Sequence, residues 1–168
     1  MKTLAPVIRP ETAAEQDAIE KLHEHAFGPG RFARTAFRLR EGVAADAELS
    51  LVAMVGERLG GSVKITPILI GTAPSLLLGP LAVDPDYGSR GLGRALVRAV
   101  VDKARDLGHR SILLVGDAPY YGPLGFHHVK PTDVVMPGPV DPARVLLCEL
   151  VEGAAAEAKG PVRSARGG

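Results

Sequence analysis

The chain has 168 residues, a formal net charge of +1, and 46% hydrophobic against 23% charged residues, the proportions of one ordinary globular domain with a single core. Its 20 basic and 19 acidic side chains are interspersed, so no basic stripe marks a non-specific nucleic-acid binder. A single cysteine, Cys148, excludes an intrachain disulfide framework and argues against a thiolate metal cluster, and no apolar run reaches the ~18 residues of a membrane span.

A lone thiol fits a reducing compartment. The opening stretch MKTLAPVIRPETAAEQD carries no continuous apolar segment of the kind that marks a secretory leader. The expected location is the cytoplasm.

In chain order, PVIRP reads as a short extended piece broken by Pro6 and Pro10. Thr12 then caps a helix with Glu15 as its capping-box partner, and Ile19, Leu22 and Ala26 keep helical spacing. FGPGR breaks it. RFARTAFRLREG reads as a second helix, with Phe32, Ala36 and Leu39 on one side and Gly42 as its stop. Two strands follow, Leu49–Val55 and Ser62–Ile70, around a turn at Gly56–Gly61. SLLLGPLAVDP is another strand, in which Gly79–Pro80 predicts a bulge or a splayed end.

GRALVRAVVDKARDLG is the clearest helix. Leu96, Ala99, Val100, Ala104 and Leu107 line one face; Arg94, Arg98, Asp102 and Arg105 lie on the other, with Arg98 and Asp102 spaced to pair and Gly108 as the stop. SILLVG is a wholly apolar strand, as expected for one buried on both faces. DAPYYGPLGF is a turn-rich crossover, and ARVLLCELV is the last strand. The remainder, EGAAAEAKGPVRSARGG, has little to bury. The domain is therefore expected over 1–152 and a mobile tail over 153–168. The order of elements describes an α/β fold with a sheet of mixed direction and at least one strand–helix–strand crossover.

That crossover carries Gly88, Gly91 and Gly93 between a strand and a helix, where unpaired N–H groups and the helix dipole favour phosphate. Gly88 and Gly93 fit a nucleotide triphosphate loop, but Arg94–Ala95 stand where Lys and Ser/Thr are required. Gly91 and Gly93 fit a dinucleotide fingerprint, but Leu96 replaces its third glycine, and no acidic residue ends the next strand. A plain helix-opening turn is the bland alternative.

LAVDPDYGSRGLGRALV followed by GHRSILLVGDAPYYGPLGF resembles two consecutive motifs of the GNAT acetyltransferases: an apolar strand, a glycine loop opening a long helix, then a strand and a Y-x-x-x-G-F ending. Tyr121, Gly125 and Phe126 fall in register with that ending. The resemblance is clear over 49–126 and extends over 7–151. One departure is Gly88, where the family places Gln or Arg. The resemblance implies a single-domain GNAT fold, with a mixed central sheet, a splayed strand pair and flanking helices.

It further implies acyl-coenzyme A, in particular acetyl-coenzyme A, as co-substrate. Leu81, Ala82 and Val83 would offer backbone groups to pantetheine, and Gly88, Ser89, Arg90, Gly91, Leu92, Gly93 and Arg94 would wrap the pyrophosphate. Tyr121 would be the general acid that protonates the leaving thiolate, with Tyr120 as the adjacent alternative. The acceptor would be a small-molecule or peptide primary amine attacking directly in a ternary complex, with no metal, nucleic acid or membrane involved, by a monomer or homodimer. A catalytically weak acyl-coenzyme A sensor is the alternative.

Other residues are less distinctive. Glu48, Asp84, Asp117, His23 and His25 are all candidates for a base, and each reads equally as a surface or capping residue. Arg31, Arg34, Arg38 and Arg40 recognise an acidic acceptor or form the wet face of a helix. Cys148 reads as a small buried residue. His127 and His128 point to opposite faces of a strand and make a poor metal site.

Overall fold

The computed structural model describes residues 5–27 and 35–165, with 26, 27, 35, 37 and 88–90 as backbone only. In chain order the elements are β1 (Val7–Pro10), α1 (Gln16–Phe27), α2 (Thr35–Arg40), β2 (Leu51–Val55), β3 (Arg58–Ile70), β4 (Ala73–Val83), α3 (Leu92–Asp106), β5 (Ser111–Val115), α4 (Ala118–Tyr121), β6 (Phe126–His128), β7 (Val134–Val135), β8 (Val145–Glu149), α5 (Ala154–Glu157) and β9 (Gly160–Ser164).

The sheet runs β1-β2-β3-β4-β5-β8-β6. Its central pair, β4 and β5, is parallel, and the neighbours on either side are antiparallel. α3 is the crossover between that pair and packs on one face, over Leu51, Val63, Ile65, Leu78 and Ile112. The opposite face holds a second core in which Leu39 of α2 meets Ile68, Leu77, Leu113 and Leu147.

Three local features set the shape. Thr12 and Glu15 form the expected capping box, with the Thr12 N–H donating to the Glu15 carboxylate at 2.9 Å; a 3-10 turn at Ala13–Glu15 precedes α1. Val55 pairs with Arg58, so the β2–β3 turn is two residues long. The turn expected at Gly56–Gly61 is thus corrected to Gly56–Glu57, and Gly60 and Gly61 belong to β3. Their role is close packing. A β-carbon on Gly61 would lie 3.0 Å from Leu96, and one on Gly60 2.9 Å from Leu92. The bare strand lets bulky leucines of α3 settle onto the sheet.

The expected bulge is present. Val63 faces Leu81 and Ile65 faces Leu78, so Gly79 and Pro80 together oppose Lys64 alone. On its other edge β4 pairs with β5 only at Leu76↔Ile112 and Leu77↔Leu113. Beyond Leu77 and Leu113 the two strands separate, and the gap between them opens toward the C-terminal end of both.

Three expectations are revised. On α3 the buried residues are Leu92, Leu96, Val97, Val100, Val101 and Ala104, while Leu107 is 47% exposed because it lies past the last helical turn. Asp102 lies 3.8 Å from Arg105 rather than being spaced against Arg98. The segment from 153 is not a loose tail over its described part. It forms α5 and then β9, which pairs with the last three residues of β3 and with β7. Ala158 and Val162 are buried there, so the few apolar residues in a polar stretch carry the attachment.

Candidate active site

At the mouth of the gap, the Asp84 carboxylate accepts the Asp86 N–H at 2.9 Å and starts a 3-10 turn over Pro85–Arg90. Gly91 closes that turn at φ +73°, a left-handed conformation that favours glycine. The N-cap of α3 is Gly91, which brings no side chain to cap it. The N–H groups of the first turn, at Leu92, Gly93 and Arg94, have no intrahelical acceptor and face the loop with the positive end of the helix dipole. These N–H groups belong to the segment 88–94, where the resemblance implies a cradle. The side chains of Ser89 and Arg90 lie outside the described structure.

Leu81 and Val83 pack beside the α3 core, and Ala82 is buried on the opposite face of β4. The backbone of 81–83 sits on the part of β4 that has lost its β5 partner. Strand groups at such an edge are ready to pair with an extended ligand.

Across the gap stands α4. Tyr121 packs against Phe126 with ring centroids 5.9 Å apart and against Tyr120 at 4.7 Å. Its ring covers Gly116, where a β-carbon would collide with it. Burial first, then the neighbouring Tyr120 and Asp117, pushes the Tyr121 phenol up to about 12. It stays neutral and able to donate a hydrogen bond at ordinary pH. Tyr120 reaches the other way. Its hydroxyl lies over Gly93, and the Arg94 guanidinium sits 5.4 Å from its ring centre.

The gap continues into a cleft of about 960 Å³. Leu78–Leu81 and Leu114–Asp117 form its floor, Tyr120 and Tyr121 one wall, and α1, α2 and the loop before β8 the rest. Of the candidate bases, His23 and Asp117 line this cleft, while Glu48, Asp84 and His25 do not. Asp117 lies 3.6 Å from Arg144. Glu48 lies in a turn, where its N–H donates to the Asp46 carboxylate at 2.9 Å. Arg38 and Arg40 line the cleft, and Arg31 and Arg34 lie outside the described residues.

Cys148 is buried in β8, and burial raises its thiol, which suppresses the nucleophilic thiolate. His128 contacts the Ala143 carbonyl at 2.7 Å. Among the described residues no three His, Cys, Asp or Glu side chains are grouped to hold a metal, and no helix is long and apolar enough to cross a membrane.

Several residues at the site escaped the sequence reading. Glu20, Lys64, Thr66, Asp141 and Arg144 line the cleft from three separate segments. Arg58 reaches the loop from the β2–β3 turn, 2.9 Å from Asp84 and 2.7 Å from Asp86. None of these has a local sequence signal, because each is brought to the site by the packing of segments far apart in the chain.

The family model for the acetyltransferase (GNAT) family matches residues 16–126, which spans α1, the cradle, the gap and Tyr121. The chain belongs to the GNAT family. It is 30% identical over 131 residues to the uncharacterized N-acetyltransferase YhbS of Escherichia coli, covering 73% of this chain and 76% of that protein. It is 32% identical over 112 residues to the uncharacterized N-acetyltransferase YjhQ of the same organism. That match takes in 64% of this chain and spans 62% of the length of YjhQ. Among solved structures, the GNAT fold is matched by YhbS from Escherichia coli in complex with CoA, at a TM-score of 0.83 and 26% identity over 98% of this chain and 92% of that one. A GNAT acetyltransferase from Brucella melitensis in complex with acetyl-CoA matches at a TM-score of 0.59 and 27% identity, over 89% and 97%.

Proposed function

We propose that the protein is an N-acetyltransferase that moves the acetyl group of acetyl-coenzyme A to a primary amine by direct attack in a ternary complex. The observation that carries this reading is the unpaired edge of β4. It leads from the cradle at Gly91–Gly93 to the floor of the cleft beside Tyr121. Relatives and neighbours named as N-acetyltransferases, two of them holding CoA or acetyl-CoA, support it.

In this reading the diphosphate sits on the first-turn N–H groups of α3, with Arg94 beside it. The pantetheine arm lies along 81–83 and occupies the space a paired β5 would fill. The amine enters from the side of α1 and α2, so both substrates are held at once and their approach becomes effectively unimolecular. Attack forms the C–N bond and breaks the C–S bond. The nitrogen gives up one proton and the sulfur gains one. Tyr121, neutral and across the gap, donates to the developing thiolate. His23 and Asp117, the candidate bases that line the cleft, are placed to take the amine proton directly or through water. The single buried thiol is consistent with the cytoplasm as the compartment.

The test is release of free thiol from acetyl-coenzyme A with a panel of primary amines. Turnover with at least one amine supports the enzyme reading. Tight binding of acetyl-coenzyme A with no turnover across the panel supports the sensor reading, which the glycine at Gly88 leaves open and the retained Tyr121 argues against. Absence of binding overturns both.

A further inference from the structure

Arg58 is the first residue of β3, just past the β2–β3 turn, and its side chain is 53% exposed. It does not contact the cleft. It reaches instead across to the segment Asp84–Tyr87, which leads into the cradle. One nitrogen, Nη2, donates to Asp84 at 2.9 Å and to Asp86 at 2.7 Å, and the guanidinium lies 5.2 Å from the centre of the Tyr87 ring. Three successive contacts of different kinds, two ionic and one stacking, thus converge on one side chain.

The chemistry of the loop makes this placement informative. A polyanion is an awkward guest beside Asp84 and Asp86, two carboxylates within a few residues of the N–H groups meant to hold it. Like charges at that spacing repel, and the repulsion is long-ranged at low salt. Position 88 is a glycine and brings no side chain to offset them. The charge that faces both carboxylates arrives from another strand.

We propose that Arg58 is the positioning residue that makes this loop receptive to a polyanionic ligand, by neutralising Asp84 and Asp86. The inference rests on the reading of the cradle as the diphosphate site of acyl-coenzyme A. Charge neutralisation concerns the phosphate-bearing end of the ligand, whereas a purely mechanical tie would affect any ligand of the gap. Arg58 shapes the affinity for the charged end of the co-substrate and leaves the pantetheine end untouched.

The experiment compares coenzyme A with pantetheine, which shares the thiol arm and lacks the diphosphate, by nuclear magnetic resonance shift titration at low salt. Arg58→Ala is expected to weaken coenzyme A binding at least tenfold and to leave pantetheine binding within twofold. Adding Asp86→Asn to Arg58→Ala is expected to recover most of the loss, because it removes one of the charges left exposed. Arg58→Lys keeps the charge but cannot stack or fork in the same way, and is expected to fall between. Thermal melts of each variant verify that it is folded, and Arg58→Lys carries the test if Arg58→Ala is not. Coenzyme A affinity unchanged in Arg58→Ala, an equal loss for pantetheine, or no recovery with Asp86→Asn would each overturn the proposal. Failure of the unmodified protein to bind coenzyme A would instead overturn the underlying reading, and this one with it.

Discussion

The hydroxyl of Tyr120 occupies the space that a side chain on Gly93 would need: a β-carbon there would lie 2.5 Å from the phenol oxygen. The second glycine of the G-L-G triplet is therefore matched to a tyrosine 27 positions further along the chain. The match lies on the rim of the cradle, with Arg94 stacked on the same ring.

Gly93→Ala is accordingly expected to displace Tyr120 and to weaken acetyl-coenzyme A binding several-fold. Tyr120→Phe removes the clashing oxygen and should restore much of the loss. A double-mutant cycle on the dissociation constant should give a coupling of about 0.5–3 kcal/mol, the range for residues in contact. Additive effects would mean that the two residues do not share this space in solution.

Tyr121→Phe is expected to lower kcat about a hundredfold with little change in the KM for acetyl-coenzyme A, the signature of a lost proton donor rather than a lost binding contact. Because burial holds this phenol up to about 12, the unmodified enzyme should not lose its acid anywhere below pH 10. The pH–rate profile checks both statements. An alkaline decline that begins near pH 9 and disappears in Tyr121→Phe would contradict the second.

Glu15 is held down to about 2, first by the Arg9 guanidinium and then by the Thr12 hydroxyl. The unfolded value is ~4.3, so the unfolded chain binds the extra proton as pH falls, and stability drops with it. The contribution is full above pH ~4.3 and is lost on the way down to about 2. Thermal melts should show Glu15→Gln less stable than the unmodified protein at pH 6, with the difference closing steadily below pH ~4.

Removal of residues 159–168 deletes β9, exposing the edge of β3 and stripping Val162 from the second core. A large fall in the urea midpoint is expected. Val162→Ala alone should cost about 2 kcal/mol, in line with truncation of a buried aliphatic side chain. A midpoint that stays in place would mean this strand is not attached.

The features legible in the sequence are local ones. The capping box at Thr12–Glu15, the strand into a glycine loop, the helix it opens and the tyrosine before G-F all lie within short windows. What was hidden depended on pairing across the fold. Gly60–Gly61 looked like a turn because adjacent glycines usually are, yet here they make room for Leu92 and Leu96. Leu96 argued against the dinucleotide fingerprint because it crowds the helix–sheet contact; the space it needs is supplied by the strand. The residues 160–164 looked unattached because one buried valine in a polar stretch carries no periodic signal. Arg58 lies 26 positions before Asp84, and only the β2–β3–β4 register brings them together. Of the cleft-lining acids and bases, His23 and Asp117 were among the candidates, but nothing in their neighbourhood separated them from Glu48 or His25.

The two paired positions that join β4 to β5 divide the sheet into two blocks along a narrow seam. One block holds β1 to β4 with β9, and the other holds β5, β8 and β6. An extended arm lying in the gap would do what a missing strand does, giving hydrogen bonds to one block and contact to the other. If acyl-coenzyme A binds as proposed, loading it would stitch the molecule together as well as arm it. The amides that slow most in hydrogen exchange should be those on either side of the seam, far from the diphosphate itself.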